Sequence, residues 1–87
     1  MEDQEQPKTR QEILEMSLDA RIQEVMHYQI NIDNYTIALN EISKKSQADQ
    51  AELSEFTDQL RGLLASEKLE QKKAEIMLAV LQQQVAN

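Results

Sequence analysis

From Thr9 to Val85 the chain carries no proline, no Asn-Gly or Asp-Gly step, and a single glycine, Gly62. A β-sheet needs repeated chain reversals, and these are built from Gly, Asn, Asp and Pro at fixed turn positions. A stretch this long without proline or an Asn-Gly or Asp-Gly step has few places to turn back, which leaves helix as the fold class. Ala, Leu, Glu, Gln, Lys and Met fill much of it, and these lose least freedom on entering a helix.

The first helix has a legible start. Thr9 followed by Glu12 forms a capping-box pattern just ahead of Ile13 and Leu14. Pro7 disfavours helix immediately upstream, so residues 1–8 read as a disordered acidic arm. Leu18, Ile22, Val25, Tyr28, Ile32, Tyr35, Leu39 and Ile42 then recur at steps of three and four. That spacing lays them along one stripe of a helix. The two successive steps of three through Ile22, Val25 and Tyr28 predict a local shift of coiled-coil register. Met26, Ile30 and Ile37 widen the stripe, which suits a helix with more than one neighbour. Asn31, Asn34 and Asn40 are expected at the rim or in solvent.

The apolar pattern stops at Ser43-Lys44-Lys45-Ser46-Gln47. Two lysines suit the negative end of a helix dipole, and Ser46 or Asp49 suits a new helix start. A turn is therefore expected within 44–49, between a first long helix over 9–45 and a second over 46–87. One uninterrupted rod, about 110 Å long at 1.5 Å per residue, is the alternative. In the second helix Leu53, Phe56, Leu60 and Leu63 form the leading stripe, with Leu64 beside it. Leu69, Ile76 and Val80 continue as one line; Ala74, Met77, Leu81 and Val85 form another. Gly62 and the Ala65-Ser66-Glu67 step mark the place for a bend or break near 62–66.

The fold expected is all-α: a long two-helix antiparallel hairpin that pairs into a dimeric helical bundle or coiled coil. A lone hairpin is thin, and each Leu, Ile or Met taken fully out of water contributes roughly 1.5–3 kcal/mol. The apolar run Ile76–Leu81 therefore asks for a partner. The two stripes, with Met77 and Leu81, are the expected self-association residues.

No constellation of residues points to catalysis. His27 is the only histidine and there is no cysteine, so a closed zinc or iron site lacks ligands. Pairing with Glu24 is the plainer expectation for His27. Asp49, Glu52, Glu55 and Asp58 recur every three residues, but a helix surface gives a carboxylate neither depth nor desolvation for acid–base work. They read as a solvated acidic face. One glycine cannot make a phosphate loop, and the hydroxyls have no base at a known spacing. No enzyme activity, metal or cofactor is expected.

The net charge is −7, opposite to the basic footprint of a nucleic-acid binder and repelled by anionic lipid. The start Met1-Glu2-Asp3 is acidic and lacks a signal-like apolar segment. Ile76–Leu81, the longest apolar run, is far too short to span a bilayer. A cytoplasmic location is the expectation. Lys68, Lys72 and Lys73 form one basic patch beside that run, read first as oligomer contacts.

The function expected is a non-enzymatic helical interaction protein that self-associates, with a dimer favoured, and binds, bridges or sequesters a second protein. Two other readings stay open. One is a small acidic inhibitor, in the extreme a nucleic-acid mimic, of a larger enzyme or DNA-binding protein. The other is a structural coiled-coil rod or assembly chaperone.

Overall fold

A computed structural model describes residues 7–86. The acidic arm expected over 1–8 lies outside them except for Pro7 and Lys8. The described residues form three helices and no strand: α1 (Arg10–Ser43), α2 (Gln47–Glu52) and α3 (Ser54–Ala86). α1 and α3 pack antiparallel along their lengths, each about 50 Å at 1.5 Å per residue. The architecture is an all-α hairpin.

The capping box is formed. Thr9 Oγ1 accepts from the Glu12 N–H at 3.1 Å, and Glu12 Oε1 accepts from the Thr9 N–H at 3.0 Å. Two otherwise unpaired donors at the helix start are thereby satisfied. The Thr9 backbone donor, then its hydroxyl, hold the Glu12 carboxyl below its ordinary range.

The chain turns without glycine. No described residue has a left-handed backbone. α1 ends when the Lys44 and Lys45 N–H groups fall back to Glu41 O and Ile42 O, at 3.2 and 3.0 Å. Ser46 then extends and caps α2, its Oγ accepting from the Asp49 N–H at 3.2 Å. Gln50 closes the corner: its side-chain amide donates to Lys45 O at 2.8 Å and Ser43 O at 3.3 Å. Carbonyls freed by the end of α1 thus find a donor in a side chain from α2. α2 passes into α3 through Leu53, whose N–H still reaches Asp49 O and whose carbonyl still accepts from Thr57. α3 runs unbroken through residues 62–66.

The core is one seam. On α1 it runs Leu14, Leu18, Arg21, Val25, Tyr28, Ile32, Tyr35, Leu39, Ile42, alternating steps of four and three without a slip. All nine side chains are buried or half-buried. The register shift expected at Ile22 is absent, because Arg21 takes the seam position and Ile22 stands outside it, 37% exposed. From Leu53 through α3 the seam is Leu53, Thr57, Leu60, Leu64, Glu67, Gln71, Ala74, Leu78, Leu81 and Val85, in the same unbroken alternation. This is the seven-residue repeat of a coiled coil.

Candidate functional site

The sequence stripes divide between two surfaces. Leu18, Val25, Tyr28, Ile32, Tyr35, Leu39 and Ile42 line the seam from α1, and Leu53, Leu60 and Leu81 line it from α2–α3. Ile22, Phe56, Leu63, Leu69, Ile76, Met77 and Val80 face outward and are exposed, Ile76 by 64%. Ile13, Met16, Met26, Ile30 and Ile37 are exposed on α1 as well, Ile37 by 59%.

The seam has a polar middle that apolar spacing does not reveal. Arg21, Glu67 and Gln71 occupy consecutive layers there, with Thr57 nearer the turn. Gln71 Nε2 donates to Gln29 Oε1 at 2.9 Å and reaches Val25 O at 3.4 Å. Together with the Arg10–Gln84 hydrogen bond of 3.0 Å near the open end, this fixes the register. That register places Tyr28 across from Glu67 and Arg21 across from Ala74, which is the most buried side chain at 3% exposure. A small residue opposite a long one keeps the layer filled without overpacking. Thr57 is accommodated because its hydroxyl bonds the Leu53 carbonyl at 2.9 Å. These polar members were readable only by carrying the seven-residue repeat through positions that are not hydrophobic.

The electrostatics follow this placement. Arg21 bonds Glu24 at 2.6 Å along α1, so the carboxylate expected beside His27 is held by an arginine. His27 is exposed and sets its ring edge-on to Tyr28 at 6.4 Å between centroids. Partial burial raises the Tyr28 phenol above its ordinary pKa, the carboxylates of Glu24, Glu70 and Glu67 add to the rise, and Arg21 opposes it. One oxygen of Glu67, Oε2, is buried with no hydrogen-bond partner among the described residues. Such a group carries a desolvation cost that a paired one does not.

Asp49, Glu52, Glu55 and Asp58 are all exposed. Asp58 meets Arg61 at 3.4 Å. Lys73 bonds Glu70 at 3.1 Å within α3. At the turn a cleft of about 300 Å³ lies between Leu39, Ile42, Gln50, Thr57 and Arg61. It is open, and the titratable side chains that line it, Asp58 and Arg61, are paired with each other. Among the described residues no group of three or more His, Asp or Glu side chains is placed to hold a metal ion, and no helix is long and apolar enough to cross a membrane.

What remains is surface. The seam accounts for one face of each long helix. The opposite face of α1 and the outer flank of α3 carry large apolar side chains that nothing among the described residues covers. No family model matches the chain, and no curated protein or solved structure matches it.

Proposed function

We propose that the chain is a non-enzymatic helical interaction protein that self-associates and bridges protein partners in the cytoplasm. The observation that carries this reading is the second apolar surface. A hairpin whose own seam is already filled by Leu14, Ile32, Ile42, Leu60 and Ala74 still exposes Ile30, Ile37, Leu69 and Ile76. Soluble monomers seldom leave a long apolar stripe open, and one that is rimmed by polar residues marks an interaction site.

Mimicry of a nucleic acid fits this surface less well. On α1 the carboxylates of Asp19 and Asp33 stand on either side of the exposed Met26. A polyanion mimic needs a contiguous charged row, whereas a protein interface has an apolar centre and a polar rim.

Size-exclusion chromatography coupled to light scattering, at low and high concentration, tests the reading. The expected result is a mass above the 10.1 kDa of one chain, rising with concentration. A single-chain mass throughout would sink it.

A further inference from the structure

Two helices lying side by side give the hairpin two broad sides, and the seam register assigns the exposed residues to them. The Arg10–Gln84 hydrogen bond spans the seam on the first side, and the Gln71–Gln29 hydrogen bond spans it on the second. The first side carries Ile13, Phe56, Leu63, Met77 and Val80, all exposed. Of the exposed large apolar side chains, the second side carries Ile22 and Met26. Met16, Ile30, Ile37, Leu69 and Ile76 run along the outer edges, as does Glu55. Charge divides the same way. On the first side Glu24 pairs with Arg21 at 2.6 Å, Glu70 with Lys73 at 3.1 Å and Glu41 with Lys44 at 3.2 Å, while Arg10 holds Gln84 at 3.0 Å. His27 lies there too, against Tyr28. On the second side Glu12 serves the cap and Asp58 pairs with Arg61. Glu15, Asp19, Asp33, Lys68, Lys72 and Glu75 have no opposite charge within 4.0 Å there among the described residues. A charge that leaves water alone costs far more than one that leaves it already paired. The first side is thus the one that can be covered.

We propose that two copies of the chain meet through this first side, face to face about a two-fold axis, in a closed four-helix dimer. This rests on the self-association proposed above and names its surface and the size at which it stops. The layout of the side points to a second copy as its occupant. Phe56 and Leu63 lie toward the turn, Ile13, Met77 and Val80 toward the open end, and the Glu24, Glu70 and Lys73 charges between them. A second copy brings the same layout. A two-fold sets apolar ends on apolar ends and the polar middle on the polar middle, whether the two turns come together or lie at opposite ends. Such a contact uses one patch on both copies and therefore closes at two.

The area is what a stable dimer needs. The side is two helices wide, about 20 Å by about 50 Å, which is on the order of 1,000 Å² on each partner and ~2,000 Å² in total. Specific, stable interfaces bury about 1,200–2,000 Å² in total. The outer face of a single helix offers about half as much. Stacking also gives a hairpin one helix thick the second layer that helical folds pack around a core. The charged second side stays in water on both faces of the dimer.

Three substitutions at exposed positions test this, each checked for unchanged helicity by circular dichroism. Leu63→Glu and Val80→Glu place a charge at either end of the contact, and Met26→Glu places one on the opposite side. By light scattering over rising concentration the unaltered chain is expected to reach two copies per particle and stop. Leu63→Glu and Val80→Glu are expected to stay single chains where the unaltered chain is paired, and Met26→Glu to pair as the unaltered chain does. The proposal is overturned if the unaltered chain grows past two copies, if Met26→Glu abolishes pairing, or if the dimer survives both Leu63→Glu and Val80→Glu, since each would place self-association on another surface. A monomeric unaltered chain at every concentration would instead remove self-association itself.

Discussion

Gln71 reaches across the seam to Gln29, its side-chain amide donating to the Gln29 carbonyl oxygen at 2.9 Å. The pair sits where the apolar layers give way to polar ones. A polar side chain in a coiled-coil seam fixes register at a cost in stability. Gln71→Leu should therefore stabilise the hairpin by about 1 kcal/mol, because the gain in apolar burial exceeds one partly exposed hydrogen bond. Gln29 is exposed and returns to water. Urea unfolding measures the gain, and spin-label distances between α1 and α3 should broaden as register loosens. A loss of stability would show that the hydrogen bond outweighs the burial.

Tyr28 gives a pH dependence with a definite sign. Its phenol is raised in the folded chain, so the folded state holds the proton more tightly than the unfolded state does. The associated stability is fully present below the unfolded value near 10 and is lost as pH rises through the higher folded value. Melting temperature should fall on the alkaline side, and Tyr28→Phe should flatten that fall. An alkaline fall left unchanged by Tyr28→Phe would assign it elsewhere.

Gly62 lies in the interior of α3 with nothing within 4 Å of where a Cβ would stand. No turn or close approach among the described residues requires it. Gly62→Ala should stabilise the folded chain by about 1 kcal/mol through helix propensity and reduced freedom of the unfolded chain. Thermal unfolding at low protein concentration checks this, and a destabilised variant would reveal a constraint from outside the hairpin.

Thr9→Ala should cost about 1 kcal/mol, the usual value of an N-cap side chain, with fraying confined to the first turns of α1. Amide exchange there would show it. The same box predicts an acid-side effect: Glu12 is lowered in the folded chain, so its contribution is present above the unfolded value near 4.5 and fades as pH falls through the folded value. Glu12→Gln should remove that part of the acid dependence. An unchanged acid profile in Glu12→Gln would show that the box does not titrate with folding.

Much of the hairpin was legible beforehand. The capping box at Thr9 and Glu12 is a local pattern whose partners lie three residues apart, so sequence spacing carries it whole. The lack of proline and of Asn-Gly or Asp-Gly steps set the helical class, and the polar stretch after Ile42 marked where the apolar stripe had to end. What hydrophobicity misplaced was the line of the seam. It favoured Ile22 over Arg21, Phe56 over Thr57 and Leu63 over Leu64, because on an amphipathic helix a neighbouring apolar residue scores as well as the true one.

The sequence by itself determined that the chain is helical, where its first helix starts and where a reversal could fall, because these depend on backbone preferences and contacts within a few residues. Tertiary structure alone decided which apolar residues meet inside the hairpin and which stay outside. That choice is collective: a seven-residue repeat holds both helices in contact along their whole length only if Arg21, Glu67 and Gln71 enter the seam. The continuous packing outweighs the local cost of those polar layers, and it turns Ile30 and Ile76 outward on opposite sides of the protein.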